Sequence, residues 1–301
     1  MNPESDHYSR AIQQRAARRR EARRRRQRKV ALIKALLLLC LIAGLIFLAS
    51  RLFGNGEEQP SPSPPPAHTA MAELEKPSGE KAEPTAEEMR LHIQENPRDY
   101  PEAMLELIEK YAQTIEYVYH YPEYKDKEWE IDLSAEAAAD AVPLLMQWDS
   151  RWGYAPYGSG LVGYTGCGPT SLSMVALYLL DDSKWTPLEV AKFAEKNGYC
   201  SPGNGSKWTL MSEGSAALGL SARELPLVER YMKDELDLDH PIIMAMGPGD
   251  FTTGGHFIVV TGYDEEGFIV NDPNSRTNSE KRWSFQTLQN QIKNLWAMSK
   301  A

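Results

Sequence analysis

The chain has 301 residues, 42% of them hydrophobic and 25% charged, which excludes a wholly disordered chain, a collagen-like chain and a multi-span membrane protein. Its net charge of −9 is unevenly spread: residues 1–29 hold eleven Arg and Lys against Glu4, Asp6 and Glu21, a net +8, which leaves −17 on the remainder. So acidic a body argues against a nucleic-acid partner, because phosphate binding relies on clustered Lys and Arg, and three cysteines (Cys40, Cys167 and Cys200) are too few to staple a disulfide mini-domain.

The basic tail, 1–29, runs into an apolar segment broken only by Lys34. Twenty helical residues at ~1.5 Å each reach about 30 Å, the thickness of a bilayer core. Lys34 lies near the basic end, where its ammonium can snorkel to the interface. The segment 30–50 therefore reads as a transmembrane anchor. Cytoplasmic retention of the Arg-rich side would place the rest of the chain outside the cell. A cleaved signal peptide is the competing reading. The exit Phe47-Leu48-Ala49-Ser50-Arg51 lacks a small-x-small cleavage pattern. Residues 51–84 carry seven prolines among Ser, Glu and Ala and read as an extended stalk.

Thr85-Ala86-Glu87-Glu88 is a capping box and predicts a helix bearing Met89 and Ile93, ended by Pro97. Pro101 opens a second helix with Met104, Leu107, Ile108 and Tyr111 at helical spacing, and a third is predicted over 114–119. The stretch 85–140 thus reads as a small helical module. Its His92 and His120 have no companions and suit packing roles.

Over 141–301 the texture is α+β. Helices are predicted at 169–180, 187–197, 210–218 and 285–295. Strands are predicted at 242–246, 256–263 and 268–272, the last two forming a hairpin.

Chemistry gathers in Tyr164-Thr165-Gly166-Cys167-Gly168-Pro169. Pro169 suits a first helical turn and places Cys167 at a helix N-terminus. Unpaired N–H groups and the helix dipole there favour a thiolate. Glycines on both sides are expected to leave the backbone open to a substrate carbonyl. A buried structural cysteine, or a disulfide with Cys200, are the rival readings. A nucleophilic cysteine needs a base, and His256 follows Gly254-Gly255 at the start of a strand, where a rigid element can aim it. Asp272, at the end of the partner strand, falls at the same edge of the hairpin and can orient the ring, with Asn271 and Asn274 as alternatives. Acyl transfer also needs oxyanion donors, which the Cys167 N–H and the Gln147 amide can supply. Trp148, Trp152, Trp208 and Phe251 could wall a peptide cleft. No metal-ligand spacing, phosphate loop or dinucleotide fingerprint stands out, so no cofactor is expected.

Gln147-Trp148-Asp149 with Trp152-Gly153, then GCGPTS, GGHFIVVTGY and NDPN, resemble the papain-like cysteine peptidases of the double-glycine-leader (bacteriocin-processing) type, most closely their free-standing bacterial relatives. The likeness implies a papain-like fold over 141–301. It also implies Cys167 as nucleophile, His256 as base and acid, Asp272 as orienter and Gln147 in the oxyanion hole. From the residues themselves, Trp148, Gly166 and Gly255 are expected to contact substrate. Leader-processing relatives are fused to a transporter and cut on the cytoplasmic side. One span and an outward-facing domain do not imply a leader substrate here. The expectation is a membrane-anchored extracellular cysteine peptidase acting on a peptide or protein, including cell-wall peptide. Its rivals are a peptidoglycan amidase or endopeptidase, a thiol acyltransferase, and an inactive peptide-binding pseudo-peptidase.

Overall fold

The structure is a computed structural model in which residues 83–201, 203 and 205–301 are described. The predicted tail, anchor and nearly all of the stalk lie outside them. No helix among the described residues is long and apolar enough to cross a membrane.

Thr85 caps helix α1 (Ala86–Glu95) reciprocally with Glu88, as its sequence requires, and Met89 and Ile93 are the residues the helix buries. Helix α2 (Glu102–Lys110) follows Pro101 and buries Met104, Leu107 and Ile108. A 3₁₀ turn (Ala112–Thr114) leads into α3 (Ile115–Tyr119). These helices share one apolar cluster with Tyr154. Tyr117 is the pin: it stacks on Tyr154 with ring centroids 4.6 Å apart and donates to Gly153 O at 2.8 Å, while Tyr154 donates back to Tyr117 O at 2.7 Å. A Cβ on Gly163 would stand 2.1 Å from the Tyr117 hydroxyl, so a glycine is needed there for the module to approach. His92 and His120 pack against Tyr119 and Tyr124.

Helix α4 (Cys167–Leu180) buries every residue from Gly168 to Leu179. Its apolar residues, including Leu172, Met174, Val175 and Leu177, therefore read as hydrophobic all round. Each such large side chain contributes roughly 1.5–3 kcal/mol by leaving water. Helix α5 (Pro187–Lys196), capped by Thr186, lies against it.

The main sheet has six strands: β1 (Leu220–Glu224), β2 (Ile242–Met246), β3 (His256–Tyr263), β4 (Phe268–Asn271), β5 (Arg282–Trp283) and β6 (Ile292–Lys300). Their spatial order is β1-β6-β2-β3-β4-β5, with every neighbouring pair antiparallel. Alternation sorts the strands onto two cores. Ile243, Ala245, Phe257 and Val259 meet α4, while Ile242, Met244, Ile258 and Val260 meet the cluster containing Met232 and Leu236 of helix α6 (Glu229–Asp237).

The C-terminus corrects one expectation. In place of a helix over 285–295, a short helix (Phe285–Gln289) gives way to the nine-residue strand β6. Leu288, Ile292 and Leu295 do recur at helical spacing. But Trp296 and Met298 of β6 join one core while Leu295 and Ala297 join the other, so both of its faces are covered, and a strand buried on both faces loses the period-2 signal. Residues 210–218, expected as one helix, divide into a π-helical turn (Leu210–Gly214) and a short α-turn (Ser215–Ala217).

Candidate active site

Cys167 is the first residue of α4, with Gly166 as N-cap, so its backbone N–H has no acceptor within the helix. It is partly exposed, and both Cys167 and Cys200 are free thiols. The Cys200 thiol donates instead to Gly205 O at 3.5 Å. The flanking glycines sit where a side chain would collide with its surroundings. A Cβ on Gly166 would meet Val162 O at 2.5 Å, and one on Gly168 would meet Ser206 Oγ at 2.3 Å. The helix start can come this close to its surroundings only without those side chains.

His256 opens β3 opposite Met246 of β2 and is 7% exposed. Its Nε2 meets Asp272 Oδ1 at 2.7 Å. The Cys167 side chain borders the same two cavities as the ring and interacts with it. Burial pushes the imidazolium toward losing its proton. The Asp272 charge and hydrogen bond, reinforced by the Cys167 sulfur, outweigh that and raise its pKa to about 10.

The hairpin register explains how Asp272 gets there. Asn271, the last residue of β4, pairs with Val259, and a bulge between Val260 and Gly262 offsets the strands. Asp272 then lies one step beyond the ladder, at the end where β3 begins. It is fully buried. Besides His256, its carboxylate accepts from Asn274 N and Asn278 Nδ2, each at 2.9 Å. Its own N–H donates to Ser279 Oγ at 2.9 Å. Neither alternative orienter bonds to the ring: Asn271 Nδ2 donates to Val142 O and Pro143 O, and Asn274 meets Asp272 through its backbone N–H.

Gln147 is 2% exposed and is tied to the Asp272 loop, because its N–H donates to Pro273 O at 2.7 Å. Its Nε2 spends one hydrogen on Gly163 O at 3.0 Å, leaving a second. Its Oε1 has no partner among the described residues. Trp148 anchors the same junction, donating from its indole to Asn274 O at 3.2 Å, with the Arg276 guanidinium 5.2 Å from its ring centroid.

Two cavities share Cys167, Gly255 and His256 in their walls. One, about 440 Å³, is also lined by Gln147, Phe251 and Asn274; the other, about 560 Å³, by Trp208, Met246 and Phe257. A Cβ on Gly255 or Gly254 would meet nothing within 4 Å, so this glycine pair is the open one. Trp148 and Gly166 line neither cavity. Trp152 is 1% exposed, a core residue whose indole donates to Met146 O.

Asn278 and Ser279 escaped the sequence reading. They sit on a short helix (Arg276–Glu280) capped by Ser275, and the Ser275-to-Asn278 spacing is a capping signal that could have revealed it. Tyr111, of the helical module, also lines the smaller cavity, and no local signal links it to residues so distant in sequence.

A family model described as "Peptidase_C39 like family" matches residues 139–301, more than half of the chain. Solved structures similar to the chain include the peptidase domain of Streptococcus ComA, a bi-functional ABC transporter involved in a quorum sensing pathway. It is 22% identical, with a TM-score of 0.37, over 46% of this chain and 93% of that one. A putative C39-like peptidase from Bacillus anthracis is 17% identical, with a TM-score of 0.32, over 52% of this chain and 94% of that one. No curated protein matches.

Proposed function

The chain belongs to the Peptidase_C39 like family, and on that premise we propose that it is a membrane-anchored, outward-facing cysteine peptidase in which Cys167, His256, Asp272 and Gln147 carry the reaction. The observation that carries the reading is the buried His256–Asp272 contact of 2.7 Å, with Cys167 beside the same ring. A protonated imidazole beside the sulfur, at the start of a helix, favours the thiolate nucleophile. The thiolate adds to the peptide carbonyl carbon. The tetrahedral oxygen takes hydrogen bonds from the Cys167 N–H and the remaining Gln147 amide hydrogen. His256 gives its proton to the departing amine, which leaves an acyl-enzyme. The ring, now neutral, takes a proton from water as that water attacks the thioester, and the acid product and thiolate are released. Asp272 keeps the ring aimed throughout, since its carboxylate is itself held by Asn274 and Asn278.

The site is tested by exposing the exported portion to iodoacetamide or an epoxide probe and digesting both a peptide library and peptidoglycan. Labelling of Cys167 with cleavage of library peptides supports the peptidase. Release of cell-wall peptides alone redirects the assignment to a wall endopeptidase or amidase, and transfer of the acyl group to an added amine to an acyltransferase. Labelling of neither cysteine indicates a binding protein. The basic tail and the apolar run over 30–50 support the anchor and its orientation. Protease added to intact cells should degrade the C-terminal portion and spare an N-terminal reporter; the reverse pattern rejects the outward orientation.

A further inference from the structure

Resting on the triad reading above, we propose that Tyr111 and Gln113, which lie upstream of the family-matched region, are positioning residues of the active site that hold together the two loops bracketing the Cys167–His256 pair. The turn they occupy is firmly placed. Tyr111 caps α2 through its N–H to Leu107 O at 2.8 Å, and Tyr111 O receives both the N–H and the hydroxyl of Thr114.

From this turn two side chains reach across. The Tyr111 hydroxyl donates to Phe251 O at 3.3 Å, on the loop that leads to Gly254, Gly255 and His256. Tyr111 also lines the same cavity as Asn274, on the Asp272 loop. It also lies close enough to Asp272 and Cys167 that, after burial, their negative charges further raise its pKa. Asn274 in turn donates its N–H to Asp272 Oδ1. Tyr111 therefore ties down the loop before His256 and borders the loop that holds its partner.

Gln113 makes the second tie. Its Oε1 accepts from Arg276 N at 3.1 Å, and its Nε2 donates to Ser275 Oγ at 3.4 Å. Ser275 caps the short helix that carries Asn278 and Ser279, the residues gripping Asp272 from its far side. The linkage runs from Gln113 through the helix cap to Asn278, Asp272 and the His256 ring. Residues before 139 thus complete a site whose reacting groups all come after it.

The test uses the full chain with Tyr111→Phe, Tyr111→Leu, Gln113→Glu and Gln113→Ala. Iodoacetamide alkylation of Cys167 is followed against pH, each cysteine being resolved by peptide mass. The downfield proton resonance of the His256–Asp272 hydrogen bond is followed in parallel. Losing one orienting hydrogen bond should slow alkylation near neutral pH by about 3–10-fold in Tyr111→Leu and Gln113→Ala. The ring-proton signal should broaden or shift in the same variants. Tyr111→Phe, which keeps the ring, and Gln113→Glu, which keeps the acceptor for Arg276 N, should recover part of the loss. Variants that melt lower but keep the parent pH profile and ring-proton signal would show a purely structural role and overturn the proposal. If a leucine or alanine variant fails to fold, Tyr111→Phe and Gln113→Glu decide, and parent-like profiles in both also overturn it. Failure of the triad reading looks different: His256→Ala then leaves the alkylation of Cys167 unchanged in the otherwise unaltered chain.

Discussion

The two halves of the reactive pair are built in opposite ways. Cys167 owes its place to a local event, the start of α4, which its own neighbours specify. His256 and Asp272 owe theirs to a strand register, a bulge and a short capped helix, so their geometry is shared among residues from 256 to 279. A locally placed group can be deleted with little effect on its surroundings. A networked group cannot, because each partner left behind is a buried polar atom in need of a hydrogen bond.

The largest effects should come from removing the reacting groups, and they should already separate the halves. Cys167→Ala is expected to reduce peptide cleavage to background with an unchanged melting temperature. His256→Ala should cost about 10²–10⁴-fold and also lower the melting temperature, since it leaves the buried Asp272 charge without its cationic partner. Equal melting temperatures for the two variants would break the comparison. Next, Gln147→Ala removes one oxyanion donor and should lower kcat by about 10²–10³-fold with little change in KM. A rise in KM at constant kcat would instead make Gln147 a binding residue.

The middle of the range tests how the network sets the charge of His256. Its pKa is raised from the ordinary 6.5 to about 10, so the ion pair with Asp272 stabilises the fold fully below pH 6.5 and is lost as pH rises through about 10. Parent activity should therefore persist to alkaline pH and fall near pH 10 as the imidazolium deprotonates. Asp272→Asn removes the charge and should draw that alkaline limb toward neutrality, and Asp272→Ala should lower activity further because nothing then aims the ring. Asn278→Ala, which takes away one of the hydrogen bonds on Asp272, should have a smaller effect in the same direction, about 3–10-fold on alkylation of Cys167 at neutral pH. The smallest effect is expected from Cys200→Ser, within a fewfold of the parent in cleavage assays, because its thiol faces Gly205 O rather than His256.

Some elements could be read from the chain because their cause is local. The capping box at Thr85, the strands at Ile242–Met246 and His256–Tyr263 and the helix start at Cys167 each depend on a few adjacent side chains or on a simple period. The candidates Cys167, His256 and Asp272 stand out for a similar reason, since Gly-Cys-Gly, Gly-Gly-His and Asp-Pro punctuate the sequence where they occur. The C-terminal strand was misread because burial on both faces erases its alternation, leaving apolar residues at a spacing that also suits a helix. The crowding of Gly168 by Ser206 is not legible in the chain, because the two residues meet only through the fold.

By itself, the sequence determined the identity of the candidate reacting groups, the α+β texture and the family, because these rest on residue type, short spacing and order along the chain. Only the tertiary structure decided which oxygen faces His256, what grips Asp272 from behind, and that Tyr111 and Gln113 reach the same loops from more than a hundred residues upstream. The contacts of Tyr111 and Gln113 join groups distant in sequence. Their geometry depends on register and on the packing of the helical module against Gly153 and Gly163, and no local pattern along the chain encodes either.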